Sequence, residues 1–319
     1  MEYPRAMPPA TTADPAELLV ADAPFTDLAT APVVVTPEQD GPGAWAGGPS
    51  ALLVGDTIYL AYRLRRPVGQ GRGYANLLAR STDGVRFRTV ATVGKDRFGG
   101  ESLERPALVV TADGRWRLYV SVATPGTKHW RVDLLEASTP AGLGAARPRT
   151  VMPGSDLLAV KDPVVVHHAG RWHAWASCHP LDDPDQTDRM TTEHATSDDG
   201  VDWTWHGTAL AGRPGEWDAR GVRVAAVRLD GPRPVAWYDG RATAEQNWEE
   251  QTGLATIDEP GRLTAIGTGP AGVSPYGLGG LRYVSPVLLP DGSTRFYVEV
   301  TRPDGAHDLR TVLVPHAPS

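Results

Sequence analysis

Ala159-Val160-Lys161-Asp162-Pro163-Val164-Val165-Val166-His167-His168-Ala169-Gly170-Arg171-Trp172-His173-Ala174-Trp175-Ala176-Ser177 reads as an acidic residue, a proline, a short apolar strand, a glycine turn and a second strand rich in aromatics. A proline at the first position of a strand removes no ladder hydrogen bond. The Ala169-Gly170-Arg171 turn sends the chain back antiparallel. Alone this is one hairpin, but the chain writes it five times.

Aligned on the proline, the first copy is Gly48-Pro49 followed by Ser50–Val54, Gly55-Asp56 and Thr57–Tyr62. The second is Arg105-Pro106, then Ala107–Val110, Asp113-Gly114 and Arg115–Val120. The fourth runs Gly221–Val227, Asp230-Gly231 and Val235–Asp239, and the fifth Ser285–Leu289, Asp291-Gly292 and Arg295–Glu299. Pro49, Pro106 and Pro163 recur every 57 residues, Val222 takes the proline's place 59 later, and Pro286 follows after 64 more. A near-constant period of this size, with several strands per unit, signals a propeller. Third strands are expected at Tyr74–Ser81, Arg131–Ser138, Glu193–Ser197, Gly253–Ile257 and Leu309–Val314, and fourth strands at Arg88–Val93, Trp205–Leu210 and Leu263–Gly267. Ser81-Thr82-Asp83-Gly84 and Ser197-Asp198-Asp199-Gly200 are Asp-box-like turns. Their Asp and Gly shape the corner, and the following Phe87 and Trp203 pack between sheets. The fifth unit lacks a fourth strand after residue 314; Val33-Val34-Val35 is expected to supply it and close the ring. The fold class is therefore all-β, a single five-bladed β-propeller over residues 25–319, preceded by a Pro/Ala-rich loose arm over 1–24.

Composition agrees with that class. The 35 Gly and 29 Pro in 319 residues suit a turn-dense β chain whose apolar strands recur between them. A net charge of −7 without a Lys/Arg run argues against a nucleic-acid partner. One cysteine, Cys178, excludes an internal disulfide and reads as a buried strand thiol. No signal-peptide h-region and no 18-residue apolar run is present, so no membrane partner is expected and the default location is cytoplasmic. No cofactor is expected, and His167-His168 reads as a solvated strand end before it reads as a metal site.

In a propeller the innermost strands line the central channel, and the residues that start them face its mouth. The two positions before each aligned anchor are Gly47-Gly48, Glu104-Arg105, Lys161-Asp162, Arg220-Gly221 and Val284-Ser285. Trp45, Glu101, Glu216, Trp217, Asp218 and Tyr283 lie just upstream; Arg63, His179, Asp239, Arg241 and Glu299 follow the second strands. Carboxylates, arginines and aromatics converging in this way suit sugar binding and glycosidic cleavage, where one carboxyl protonates the leaving oxygen and another activates water or attacks. Each residue also has a plain structural reading. Asp162 and Asp239 serve equally as turn or cap carboxylates, Glu104 as half of an ion pair with Arg105, and Asp218 as a loop brace. His179 serves as a rim hydrogen-bonding group, and Trp45 and Trp217 as blade-packing aromatics. Glu299 interrupts an apolar strand and needs a partner, which a rim arginine would supply.

With those residues in place, the chain resembles the five-bladed propeller glycosidases, the superfamily that holds glycoside hydrolase families 43, 32, 68, 62 and 130. The resemblance covers residues 40–315 and rests on the repeated x-Pro hairpin and the Ser-x-Asp-Gly-x-x-aromatic turns. It implies that Asp162, like the acidic residue before the blade-three proline in families 43 and 32, tunes the acid or stabilises the transition state. The acid of those families sits at the start of blade four, where this chain has Arg220-Gly221 with Asp218 and Glu216 just upstream. The blade-one base or nucleophile of those families is replaced by Gly48, which leaves Glu104, Asp40 or a different chemistry to take its part. Family 130 implies another route, a single carboxylic acid working with bound phosphate. Arg105, Lys161, Arg220, Arg223, Arg241 and Arg282 give the mouth a basic rim suited to an anionic substrate or co-substrate. The expected catalytic set is thus Asp162, Glu104 and Asp218. The expected binding set is Trp45, Arg105, Lys161, His179, Trp217, Arg220, Asp239, Arg241 and Tyr283. The expected activity is glycoside hydrolysis, with phosphorolysis, non-catalytic glycan binding and a protein-interaction scaffold as alternatives.

Overall fold

The computed structural model describes residues 25, 27–230 and 233–316. The expected arm, 1–24, and Gly231 of the fourth turn lie outside the described residues. The strands are β1 (Val33–Val35), β2 (Trp45–Val54), β3 (Thr57–Arg65), β4 (Gly73–Ser81), β5 (Arg88–Gly94), β6 (Leu103–Val110) and β7 (Trp116–Ala123). There follow β8 (Trp130–Ala137), β9 (Arg149–Met152), β10 (Leu158–His168), β11 (Arg171–Pro180), β12 (Thr191–Ser197) and β13 (Thr204–Leu210). The last are β14 (Gly221–Arg228), β15 (Val235–Arg241), β16 (Gln251–Glu259), β17 (Arg262–Ile266), β18 (Leu281–Leu288), β19 (Thr294–Thr301) and β20 (His307–Val314). Only three short 3-10 turns interrupt them among the described residues. The expected strands are all present; β9, short and next to prolines, is an addition.

Three sheets are four-stranded antiparallel meanders, β6-β7-β8-β9, β10-β11-β12-β13 and β14-β15-β16-β17. The remaining eight strands form one sheet in the order β18-β19-β20-β2-β3-β4-β5, with β1 against β20. A parallel pairing at Trp45 and His307 joins its two halves. The N-terminal segment pairs with the last strand as expected, Val33 opposite Arg310 and Val35 opposite Leu309. The arrangement is consistent with a propeller.

The apolar residues explain why the sheets stack. Leu78 and Val93 pack with Leu108 and Leu118 between the first and second units. Ala107 and Tyr119 pack with Val165 and Ala174 between the second and third. Trp175 and Val164 meet Val222 and Tyr238 between the third and fourth. Trp237 and Leu254 meet Leu281 and Phe296 between the fourth and fifth, and Tyr297 and Leu309 meet Ile58 and Leu60 between the fifth and first. The Asp-box turns lock neighbours together. Asp83 accepts from the Val85 and Arg86 amides at 2.9 and 2.8 Å, and the Gly84 carbonyl accepts from Tyr297 of the neighbouring sheet at 2.9 Å. Gly200 does the same for Tyr119 at 2.7 Å.

Strand register corrects the repeat alignment in two units. Ser50 pairs with Ala61, Ala107 with Tyr119 and Val164 with Trp175, each one residue after the anchor proline. The matching pairs are Ala226 with Trp237 and Ser285 with Tyr297. The residues equivalent to the anchor proline are therefore Ala225 and Val284, not Val222 and Pro286. The two positions before it become Arg223-Val224 and Arg282-Tyr283, in place of Arg220-Gly221 and Val284-Ser285. A bulge accompanies the position in every unit, and Gly48 (φ 60°), Asp162 (φ 50°) and Tyr283 (φ 57°), all immediately before the anchor, share the left-handed conformation. Bulges of this kind re-aim side chains and recur near active sites.

One outer feature has a measurable consequence. His173, His194 and His206 stack across β11, β12 and β13, with His173 Nδ1 3.1 Å from His194 Nε2 and the His194 and His206 rings 5.3 Å apart. Burial, then His173 and His206, push His194 down to about 4. A histidine whose folded pKa is depressed binds fewer protons folded than unfolded, so stability is lost as pH falls from 6.5 toward 4. The melting temperature of the wild type is expected to fall across that window more steeply than that of His194→Gln. Parallel curves would contradict the assignment.

Candidate active site

The corrected register explains how distant residues meet. The position two before the anchor holds Gly47, Glu104, Lys161, Arg223 and Arg282, and their partners on the second strands include Arg63, Ser177, Asp239 and Glu299. One layer of the molecule thus receives charged side chains from β6, β10, β14 and β18, and from Arg63 of β3 where β2 has Gly47. A buried charge is tolerated only when paired and hydrogen-bonded, and these are. Glu299 binds Arg63 Nη2 at 2.8 Å, Arg282 at 2.8 Å and His307 Nδ1 at 2.8 Å, and it accepts from the Gly48 amide at 2.8 Å. Arg282 reaches Glu250 at 2.7 Å, Glu250 pairs with Arg241, and Arg223 binds Asp239 at 2.8 Å. Arg63 also pairs with Glu104.

Gly47 and Gly48 have a physical reason to be glycines. A Cβ on Gly47 would lie 2.0 Å from Glu299 Oε2, and Gly48 takes a left-handed φ. In the first unit the space beside the anchor is filled by a carboxylate from the fifth unit, itself wholly buried.

The next layer centres on Asp162. Asp162 is 0% exposed and accepts from the Arg105 amide at 3.2 Å and from Tyr283 Oη at 3.2 Å, while Arg223 and Lys161 lie at 3.3 and 3.5 Å. Arg105 of β6 donates to the carbonyls of Pro49 on β2 at 3.1 Å and Ala225 on β14 at 2.7 Å. Beyond it, one cavity of about 120 Å³ touches all of β2, β6, β10, β14 and β18.

Above these layers lies an open pocket of about 140 Å³ lined by Glu104, Lys161, His179, Trp130, Asp188 and Trp248, among others. It narrows into a cleft of about 30 Å³ bordered by Trp45, Arg223, Arg241, Glu250, Arg282 and Tyr283. Glu104, Lys161, His179, Asn247 and Trp248 border both. Of the residues singled out in the sequence, the structure brings together Trp45, Glu104, Lys161, His179, Arg241 and Tyr283. Asp162, Arg105 and Asp239 lie directly behind them. Asp218 stands elsewhere, clamped by Arg213 at 2.9 Å and Tyr238 Oη at 2.7 Å. Trp217 stacks on Tyr238, with ring centroids 5.6 Å apart. Arg220 reaches the site only through Asp188, which it grips at 2.8 Å. The residues that sequence reasoning missed are Glu250, Asn247 and Trp248, from the loop before β16, and Trp130 and Asp188. The adjacent acids Glu249-Glu250 at a strand start were the available signal.

Electrostatics sorts the carboxylates. Burial opposes ionisation of Glu104, but Arg63, Lys161 and Arg65 outweigh it and hold the group at about 2. Burial also works against Glu250, and Arg282, Arg223 and Arg241 override it, keeping it well below the usual carboxylate range. Asp239 behaves oppositely: burial, opposed by Arg223 and helped by Glu250, pushes it up to about 6. Burial and then Lys161 drive His179 well below its ordinary value. Its Nδ1 lies 2.7 Å from the Thr187 carbonyl, which only accepts, so the ring is neutral with Nδ1 protonated and Nε2 facing Ser177 Oγ at 3.0 Å. Burial lowers Lys161, with Asp162 and Glu104 resisting. Six cations (Arg72, Lys128, Lys161, Arg223, Arg241 and Arg282) and three carboxylates (Glu104, Asp188 and Glu250) line the two spaces, with Asp162, Asp239 and Glu299 paired to Arg223 and Arg282 behind them. No group of three or more His, Cys, Asp or Glu residues suited to a metal occurs among the described residues, and none of their helices is long and apolar enough to cross a membrane.

No protein-family model and no curated protein matches the chain. Solved structures do. A glycosyl hydrolase from Bacteroides ovatus superposes with a TM-score of 0.62 at 15% identity, covering 91% of each chain. A thermostable family-43 glycoside hydrolase gives 0.62 at 14% identity, over 89% of this chain and 97% of that one. The β-1,2-mannobiose phosphorylase from Listeria innocua, solved with β-1,2-mannobiose, gives 0.61 at 15%, over 88% and 93%. At such identities the likeness is one of fold: the chain has the fold of glycoside hydrolase-like propeller structures over about nine-tenths of its length.

The ion-pair layer predicts its own test. Glu299→Leu strands Arg63, Arg282 and His307, and is expected to cost roughly 3–5 kcal/mol in chemical denaturation. Gly47→Ala is expected to destabilise as well, through its clash with Glu299. Unchanged denaturation midpoints would contradict the packing described.

Proposed function

We propose that this chain is a glycoside hydrolase-like enzyme that cleaves a glycosidic bond in the pocket at the start of the inner strands. The observation that carries the reading is Glu104, a carboxylate that borders both the open pocket and the inner cleft beside Trp130, Trp248 and Trp45. Aromatic faces beside a carboxylate are what sugar rings need. The names of the structural neighbours, two hydrolases and a mannobiose phosphorylase, support the same chemistry. In this reading the sheets are the five blades of one ring over residues 25–319, supported by five apolar interfaces that run in chain order and return from the last unit to the first.

The roles follow from the charges. Glu104, held ionised, takes a proton from water as the water oxygen bonds to the anomeric carbon. The leaving glycosidic oxygen needs a proton as its bond to carbon breaks. Lys161, whose ammonium is made more acidic by burial, faces the same space and is the donor. Asp162, wholly buried, is a positioning residue that holds Lys161 and Tyr283 in place. Asp218 braces the Arg213 loop. The cations on the pocket wall suit an anionic substrate. They also leave a phosphorolytic version open, which a requirement for inorganic phosphate would distinguish.

On a substrate found by screening aryl glycosides and oligosaccharides, Glu104→Gln is expected to lower kcat by about two orders of magnitude or more. Lys161→Met is expected to do likewise and to remove the alkaline limb of the pH profile. Asp162→Asn should lower kcat substantially, while Asp218→Asn should keep kcat within a few-fold and lower the melting temperature. Full activity in a folded Glu104→Gln protein would overturn the assignment. Sugar binding without turnover by the wild type would leave a glycan-binding protein in its place.

A further inference from the structure

The open pocket does not end at its rim. A second cavity of about 660 Å³ lies beside it, lined by Thr124, Thr127 and Lys128 of the β7–β8 loop on one side, and by Leu181, Pro184 and Thr187 of the β11–β12 loop on the other. Lys128 and Thr187 border both spaces, so the two are one continuous cleft. Size decides what this means. The 140 Å³ pocket is smaller than a small-molecule site of about 300–1,000 Å³, and only with the second cavity does the cleft reach that range. The outer walls set apolar Leu181 and Pro184 opposite threonine hydroxyls, a mixed surface suited to the faces and edges of sugar rings.

Charge at the junction narrows the class further. Asp188 is spent on Arg220 and Glu104 on Arg63. Arg72 leans on Glu101 at 3.3 Å. Lys128 has no hydrogen-bond or ion-pair partner among the described residues, and it stands where the pocket opens into the outer cavity. The carboxylate of the outer cavity, Asp156, makes no ion pair with it.

We infer that the cleft between the 124–129 and 181–187 loops is an extension of the active site that takes the further units of an acidic oligosaccharide, with a negatively charged substituent of the unit next to the cleaved bond held by Lys128. The inference rests on the glycosidase reading for the position of the cleaved bond, not for the binding cleft itself. The negative group is a sugar carboxylate or a phosphate ester, since both present anionic oxygens to an ammonium.

The test is calorimetric binding to the full-length Glu104→Gln protein, which does not need turnover. Ladders of two to six units are compared: oligogalacturonates and hyaluronan fragments for the carboxylate, phosphomannan fragments for the phosphate, and neutral galacto- and manno-oligosaccharides as controls. At least one acidic ladder is expected to tighten tenfold or more between two and four units and to weaken with salt, while its neutral counterpart binds more weakly. Lys128→Ala should lose about tenfold on the acidic ladder and little on the neutral one, and Leu181→Asp should remove the gain with length. The better-bound acidic ladder identifies the anionic group. Affinity independent of length overturns the extended cleft, and equal affinity for acidic and neutral ladders, or an unaffected Lys128→Ala, overturns the role of Lys128. A failure of the hydrolase reading would show separately, as wild-type protein that binds these ladders without cleaving them.

Discussion

Glu299 is a carboxylate with no access to water, and the centre of the molecule is built around satisfying it. It belongs to the fifth unit, yet its oxygens are held by Arg63 and the Gly48 amide of the first unit as well as by Arg282 and His307 of its own. Removing any one of these partners leaves charge stranded in a low-dielectric interior, where the cost runs to several kcal/mol. The strands must therefore meet in one register. From Arg282 the chain of pairs continues through Glu250 to Arg241 and Arg223, then to Asp239 and Asp162, so the charge layer ties all the inner strands into a single geometry.

The same layer makes the site. Because arginines hold Glu104 and Glu250 ionised, the pocket contains no carboxyl ready to donate a proton at neutral pH. Asp239 alone among these acids is raised, and it is sealed behind Arg223 and the Tyr283 amide. This centre therefore lacks the protonated carboxylic acid that a conventional pair of carboxyls requires. That difference has a structural source in the first unit. There the chain has Gly47 and Gly48 before the anchor, the side-chain space of Gly47 is occupied by Glu299, and that of Gly48 faces Arg105.

Much of this was legible in the sequence, because the period is set by local chemistry. Prolines that open strands, Asp-Gly corners and aromatic second strands are readable one at a time, and they bring Glu104 and Lys161 to the pocket wall, while Asp162, expected at the mouth, lies buried behind it. The errors came where local signals misled. In the fourth unit no proline marks the anchor, and Val222 was the nearest apolar candidate; the true anchor, Ala225, is fixed by Arg223 pairing with Asp239. In the fifth, Pro286 lies two residues beyond the anchor Val284, so Tyr283 reads as an upstream neighbour in place of the residue immediately before the anchor. Glu250, Asn247 and Trp248 were out of reach for another reason. They come from a loop before a third strand, and nothing in the sequence says that it folds back over the pocket. The left-handed φ shared by Gly48, Asp162 and Tyr283 is likewise a tertiary property that three different residue types do not announce.

The account turns on Glu104 being an ionised carboxylate throughout the working pH range. Selective ¹³C labelling of glutamate side chains, with Glu104→Gln supplying the assignment, allows its carboxyl shift to be followed from pH 8 to the acid limit of the folded state. The account predicts a Glu104 carbon that stays at its ionised shift down to about pH 3 and begins to move only toward about 2. A resonance that titrates between pH 5 and 7 would contradict it, and would make Glu104 a proton donor in place of the water-activating base.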